Sequence, residues 1–393
     1  MKIVMTGGGS GGHITPILAV AHDIQQEHEA TITYIGQKGD VFGQMVADSD
    51  VIDAFHTVSA GKFRRYHGQG LRQVFDVETL ILNIRDAFRT LVGTIQAYRI
   101  LGRVKPDVIF CKGGFVGVPV GLAAALRGIP YVTHDSDAIP GLANRIISRW
   151  ATQHAVAMDA ELYPYPAEKT LSVGVPVGHG YDEVRNKTKL AYRKQLGLAE
   201  YTHMLLVTGG GLGAANINTA MVAVSDELLT SVPGLVIVHT VGKNHEENVS
   251  NAYTKELSGH LRKRVIVRDY LPDLFRYSAA ADVVLARGGA TNFAELALQA
   301  KPCIIVPNPL LTGGHQVKNA QYYAKKGAIV LLDEETIQTD SKKVVTTLQR
   351  VLIDEALQSR LSKNIKALAR PDATRELAEV IWNVGSANAI TQD

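Results

Sequence analysis

Short apolar runs alternate with longer amphipathic stretches along the whole chain. KIVMTG, TITYIG, DVIFCK, PYVTHD and HAVAM have the length and content of strands. Between them lie PILAVAHDIQQ, a long stretch around 71–104, VPVGLAAALRG and GLANRIISRW, whose apolar positions recur at helical spacing. This alternation predicts a parallel sheet with crossover helices, and strands that are apolar throughout predict that both sheet faces are covered. The pattern then restarts. MLLVTGGGLGAANIN repeats the opening strand, glycine turn and helix, and GLVIVHTVG, KRVIVRDYL, ADVVLARGG, PCIIVPN and AIVLLD follow as strands. The expected fold class is therefore α/β, with two doubly wound parallel-sheet domains rather than one long sheet. The break falls within VGVPVGHGYDEVRNKTK, rich in glycine, proline and charge. It sets the expected domains at 1–178 and 186–370. Residues 371–393 remain, with ATRELAEVIWNVG as a helix packing back on the first domain and AITQD as a frayed tail.

Composition narrows the function classes. The 393 residues are 46% hydrophobic and 20% charged, which leaves ample core for two domains. A formal net charge of +3 is too small to point to nucleic acid, so any basic surface is local. Cys111 and Cys303 adjoin apolar runs and form neither a disulfide framework nor a zinc pattern. The chain enters a strand at once, without the segments of a signal peptide, and its longest apolar runs contain proline and glycine. No membrane-spanning helix and a cytoplasmic location are expected.

The two glycine turns carry the chemistry. Gly7, Gly9 and Gly12 fit G-x-G-x-x-G, and Gly209, Gly211 and Ala214 fit its alanine variant. Such turns set backbone N–H groups and a helix N-terminus beside an anion, usually a phosphate. A nicotinamide site also needs an acid after the second strand to hold ribose hydroxyls. Here Gln37 and Lys38 follow one such strand and Lys243 the other, which argues against that cofactor. Each half is left to use its turn on a different ligand across a cleft, the GT-B architecture of glycosyltransferases, with two Rossmann-like domains.

Six segments in order resemble the MurG family, which transfers N-acetylglucosamine from UDP-N-acetylglucosamine to lipid I and so makes lipid II. They are TGGGSGGHITPILAVA, KPDVIFCKGGFVGVPVGLAAALRG, PYVTHDSDAIPGLANR, VTGGGLGAANIN, ARGGATNFAELALQAKPCIIVP and GGHQVKNA, and the similarity runs over roughly 1–375. The resemblance implies that His13 deprotonates the acceptor hydroxyl, a task that suits an imidazole, or else contacts the acceptor's diphosphate. Asp135 stands as an alternative base, as the group that orients His13, or as an N-cap for the helix ahead. Gly9, Ser10, Gly11, Gly12, Gly114, Phe115 and Asp137 match acceptor- and diphosphate-binding positions. Gly211, Leu271, Arg287, Ala290, Thr291, Asn292, Glu295, His315 and Gln316 match donor-binding ones. Among these Glu295 would take the ribose hydroxyls and Leu271 the uracil. Arg287 would face a phosphate, brace its loop or form only a salt bridge.

The chain also departs from the family. HDSD replaces HEQN, Phe115 replaces tyrosine, Gly211 replaces a phosphate-contacting serine, and Val175 and Gly178 replace the asparagine and arginine of a GNPVR-like segment. No metal motif is present, and no metal or other cofactor is expected beyond the nucleotide sugar as co-substrate. Residues 61–105 hold nine Lys and Arg against three Asp and Glu. Leu80, Ile84, Phe88, Leu91, Val92 and Ile95 recur there at helical spacing beside Arg85, Arg89 and Arg99. Such a helix suits an anionic membrane surface, and equally an ordinary helix packed on a sheet. Lys62, Arg64 and Arg65 are further candidates for the acceptor's diphosphate.

The reading is an inverting, peripheral-membrane transferase at the cytoplasmic face, with a polyprenyl-diphosphate-linked acceptor and no nucleic-acid partner. The sequence sets no oligomeric state. The alternatives are another GT-B glycolipid transferase or UDP-sugar epimerase, and a non-catalytic nucleotide-sugar binder.

Overall fold

The apolar runs form the strands of two parallel sheets. A computed structural model of the chain describes residues 1–8, 11–39, 43–62, 77–178, 180–211 and 213–392. The first sheet contains β1 (Lys2–Thr6), β2 (Thr31–Gln37), β3 (Ala54–Val58), β4 (Val108–Cys111), β5 (Tyr131–Asp135), β6 (Gln153–Val156) and β7 (Thr170–Ser172). Its order is β3-β2-β1-β4-β5-β6-β7, all parallel. The second contains β8 (His203–Thr208), β9 (Leu235–Thr240), β10 (Val265–Arg268), β11 (Val283–Ala286), β12 (Cys303–Ile305) and β13 (Val330–Leu331). Its order is β10-β9-β8-β11-β12-β13, again parallel.

Two strands were not expected, β3 and β7. Both are edges. AFHTV exposes Phe55, His56 and Thr57, and TLS is too short to show a pattern. An edge strand needs no continuous apolar run, so hydrophobicity alone passes over it.

By contact the chain divides into two units. One is Met1–His179 with Leu310–His315 and Arg370–Asp393, the other Gly180–Pro309 with Gln316–Ala369. In the first, the helices Gly11–Glu27 and Ala373–Gln392 cover one face of the sheet. Leu377, Ala378 and Ile381 join Ile14, Ile17 and Ile24 in one core, and Trp382 stacks on His28 with ring centroids 3.9 Å apart. Burying each large aliphatic side chain there contributes about 1.5–3 kcal/mol. The helix extends from Ala373 as far as Gln392 and so includes most of the AITQD segment. Cys111 and Cys303 are both buried and free.

Each sheet reverses its strand order once, between β1 and β4 in the first unit and between β8 and β11 in the second. Open α/β sheets bind ligands outside the carboxyl ends of the strands at such a point. Thr6 pairs with Cys111 and Thr208 with Ala286, so the loops that follow start side by side. Those loops are the glycine motifs.

Candidate active site

In the first unit the loops after β1 and β4 are built against each other. Gly114 has φ +78°, and a Cβ there would lie 2.5 Å from the Gly8 carbonyl oxygen. A Cβ on Gly7 would sit 2.9 Å from Ile17 Cδ1 and 3.2 Å from Lys112 Cβ. At Gly114 backbone meets backbone, and only glycine allows it. The Tyr34 hydroxyl donates to the Gly7 carbonyl from below. Gly9 and Ser10 lie outside the described residues, as do Arg64 and Arg65. Gly11 and Gly12 open the helix on which His13 follows in the first turn.

A cluster of ionisable groups surrounds this point. His13 is half-buried. Burial lowers its imidazole to about 4, aided by the Lys112 ammonium and opposed by Asp137. It is therefore neutral near pH 7 and able to accept a proton. Lys112, only 2% exposed, donates to Ser136 Oγ at 2.5 Å. Burial brings it down to about 8 against the pull of Asp135 and Asp137. Asp135 accepts from the Tyr165 hydroxyl at 2.7 Å through one oxygen and from the Gly141 N–H at 3.0 Å through the other. Burial raises its carboxyl to about 6 despite those bonds. Both oxygens thus fix local structure, one of them at Gly141, which is itself the N-cap of the helix Leu142–Ile147, so Asp135 is not that helix's N-cap. The Asp137 carbonyl accepts from Tyr163 at 2.8 Å, and the half-buried Phe115 packs against the core around Val116 and Val120.

In the second unit the loop after β8 passes through Gly209, Gly210, Gly211 and Gly213. Gly210 and Gly213 have φ of +81° and +76°. The helix Ala215–Ser231 then starts without a side-chain cap. The loop after β11 runs through Arg287, Gly288 and Gly289 into the helix Ala290–Leu298, again without a side-chain cap. Ala290, Thr291 and Asn292 form its first turn, and Asn292 Nδ2 ties back to the Arg287 carbonyl at 3.0 Å. Two helix N-termini with uncapped N–H groups make ready anion sites.

The predicted donor residues have definite partners. Arg287 makes a two-pronged ion pair with Glu334, Nη2 to Oε1 being 3.0 Å, and Nη1 also reaches the Val306 carbonyl at 3.1 Å. A salt bridge to Glu334 is therefore one of the contacts Arg287 makes here. Burial pushes the Glu295 carboxyl up to about 7, against a hydrogen bond from the Tyr181 hydroxyl. Leu271 is buried just past β10. Gln316 Oε1 accepts from the Asn308 N–H at 3.0 Å, and His315 beside it is half-buried. A Cβ on Gly211 would meet nothing within 4 Å, so a serine fits there without strain. Among the described residues no group of three or more His, Cys, Asp or Glu is placed to hold a metal.

The basic helix runs from Val77 to Val104 and presents an inverted face. Thr90, Thr94, Ala97 and Leu101 are buried, and Gly93 lies so close to Ser59 that no side chain fits. Leu80, Ile81, Ile84, Phe88, Leu91, Ile95 and Tyr98 point outward, 41–66% exposed. Arg85 and Arg89 flank this stripe and pair with the buried Asp86 at 3.2 and 3.6 Å. Among the described residues no helix is long and apolar enough to cross a membrane.

Residues 3–156 match the N-terminal domain of glycosyltransferase family 28, and residues 204–377 match its C-terminal domain. The chain belongs to glycosyltransferase family 28. Among curated members of the family it is 32% identical over 386 residues to a protein of Symbiobacterium thermophilum, covering 98% of this chain and 96% of that one. It is 35% identical over 341 residues to a protein of Clostridium perfringens, covering 86% and 87%. Both relatives are named UDP-N-acetylglucosamine--N-acetylmuramyl-(pentapeptide) pyrophosphoryl-undecaprenol N-acetylglucosamine transferase. The fold is shared with the crystal structure of Acinetobacter baumannii MurG, at a TM-score of 0.72 and 23% identity over 97% of this chain and 99% of that one.

Within this family-28 chain the structure adds residues that the motifs did not single out: Lys112, Tyr165, Tyr181, Asn216 and Glu334. Lys112 carried a signal, a charge directly between an apolar strand and a glycine pair. The others reach their partners across tens of residues and carried none.

Proposed function

We propose that the chain transfers N-acetylglucosamine from UDP-N-acetylglucosamine to the muramyl sugar of a polyprenyl-diphosphate-linked acceptor, lipid I, releasing UDP and lipid II with inversion at the anomeric carbon. One observation carries the reading: each unit of a family-28 chain sets a pair of glycine loops at its sheet's reversal point, and the relatives that match along almost the whole length bear that activity in their names. The first unit takes the acceptor. Backbone N–H groups of the loops after β1 and β4 hold its diphosphate, and Phe115 and Asp137 line the approach. The neutral His13 accepts the proton of the sugar hydroxyl as that oxygen attacks the anomeric carbon. The second unit takes the donor. The backbone at Leu271 reads uracil, Glu295 accepts from the ribose hydroxyls, and Gln316 faces the sugar; His315, expected beside it, falls in the first unit. The charge that develops on the departing diphosphate is met by the helix N-termini at Ala215 and Ala290–Asn292 beside Gly211, and the reading asks for no metal there. The outward stripe of the Val77–Val104 helix rests on the membrane surface on its cytoplasmic side, where the acceptor resides.

The test is transfer of labelled sugar from UDP-N-acetylglucosamine to a short-chain lipid I analogue, with UDP-glucose in parallel. Selective transfer from the first donor is expected. Absence of transfer while UDP still binds would leave a nucleotide-sugar binder and overturn the reaction.

Donor binding should also depend on pH. Ribose hydroxyls donate to the ionised form of Glu295, whose carboxyl lies near 7 in the free protein. Affinity for UDP-N-acetylglucosamine is therefore expected to be highest above pH 7 and to fall by up to about tenfold per unit below it. Its phosphates are diesters and do not titrate in this range, so the dependence belongs to the protein. Glu295→Gln should flatten the profile. Calorimetric titration across the range checks this, and a flat wild-type profile would refute it.

A further inference from the structure

The two donor-side loops raise a question of rigidity. They consist largely of glycine and have almost no side chains with which to anchor themselves, yet they must present N–H groups to a diphosphate at fixed positions. Gly213 lies against the Val241 carbonyl and Gly288 against the Gln316 carbonyl, contacts that glycine permits but that hold nothing by themselves.

We propose that Glu334 is the positioning residue that locks these two loops together, one carboxylate holding Arg287 of the loop after β11 and Asn216 just past the loop after β8. The inference rests on the reading of the second unit as the nucleotide-sugar half and adds a residue that no motif assigned.

The geometry supports each arm. Glu334 opens the helix Glu334–Thr339, which is fixed by the Asp333 side chain accepting from the Thr336 N–H at 2.6 Å. Arg287 forks onto both of its oxygens, with only 11% and 12% of the two side chains exposed. Asn216 Nδ2 donates to Oε1 at 2.6 Å from the second position of the helix Ala215–Ser231. Arg287 extends the tie to the end of β12 through the Val306 carbonyl, and Asn292 staples the first turn of the next helix to the Arg287 carbonyl. Burial opposes ionisation of Glu334, but hydrogen bonds from Arg287, Asn216 and Gln338 outweigh it and hold the carboxyl below its ordinary range. A planar guanidinium on a carboxylate fixes orientation as well as distance, which a lysine would not do.

The arrangement also decides what Arg287 does. Its charge is neutralised by Glu334, so it acts on the diphosphate through the loop it holds rather than as a free cation. The opposite role, a spare cation restrained by Glu334, predicts the opposite response to losing the carboxylate.

The experiment compares UDP with uridine, whose binding needs no phosphate loop, by calorimetry and saturation-transfer NMR on the full chain. Glu334→Gln keeps the shape and removes the charge. It is expected to weaken UDP by about tenfold and leave uridine unchanged. Asn216→Ala removes an exposed side chain, will not disturb folding, and cuts only one arm. A loss of about threefold for UDP alone is expected. Tighter or unchanged UDP binding in both variants would overturn the proposal. So would a proportional loss of UDP and uridine, which marks general loosening. A wild type that binds UDP, responds as expected in the variants and transfers no sugar would fail the reaction and leave the clamp standing. A wild type that binds no UDP would overturn both.

Discussion

Replacing His13 by asparagine is expected to reduce turnover by about 10²–10⁴-fold while leaving UDP affinity unchanged. Asparagine keeps a polar side chain at the first turn of the Gly11–Glu27 helix, and its amide can still donate to a phosphate. It cannot take up a proton. A loss in kcat therefore separates a base from a diphosphate contact, which would appear mainly in the KM for the acceptor. The environment supports the base in one respect and taxes it in another. Burial and the Lys112 ammonium hold the imidazole near 4, so the free base is fully present near neutral pH. The same burial makes it a weak base, and it needs the negative charge of the bound diphosphates to hold the proton it receives. Wild-type kcat/KM, which reports the free enzyme, should accordingly show no acid limb from His13 above about pH 6. Steady-state kinetics of wild type and His13→Asn with a soluble acceptor analogue measure both. Normal turnover in the variant would remove His13 from the chemistry.

What the sequence made legible follows from locality. The inner strands β1, β2, β4, β5, β6, β8, β9, β11 and β12 are apolar because both faces are covered, so they stand out as runs, and the edges β10 and β13 were legible only because each lies in a longer apolar stretch. The edges β3 and β7 carry no such demand and were missed. The glycine loops were legible for a related reason: a close backbone approach at Gly114 or Gly213 tolerates no side chain, and the requirement is written at that one position. The partners of the site residues were not legible. Arg287 reads as a motif residue, but its charge is matched by Glu334, forty-seven positions away. Asp135 reads as an alternative base, an orienting group or a cap, but Tyr165, thirty positions on, takes one of its oxygens. Nothing in either residue's neighbourhood announces the partner, because the fold alone brings them together.

The long helix divides in the same way. Its period is plain in the sequence, its facing is not. Apolar spacing ordinarily means that the large residues point inward, and here Gly93, Thr90, Thr94 and Ala97 do so instead. Small residues let the helix approach Ser59 closely, and the aliphatic stripe is left outside. This leads to the second large effect. Ile84→Gln combined with Phe88→Gln is expected to weaken binding to vesicles of anionic phospholipid by about 100-fold. Both side chains are roughly two-thirds exposed, 63% and 66%, so the folded chain gives up little when they change and UDP binding should be retained. In a membrane interface each loses contact worth about 1.5 kcal/mol, near the lower end for a large apolar group, and two such losses give the stated factor. Arg85 and Arg89 add an electrostatic part that salt screens, damped because Asp86 lies between them. Vesicle sedimentation at low and high salt separates the parts: the variant should lose the salt-resistant fraction and keep the salt-sensitive one. Equal sedimentation of variant and wild type at high salt would show that the stripe does not enter the bilayer. The acceptor would then have to be met by another surface of the first unit.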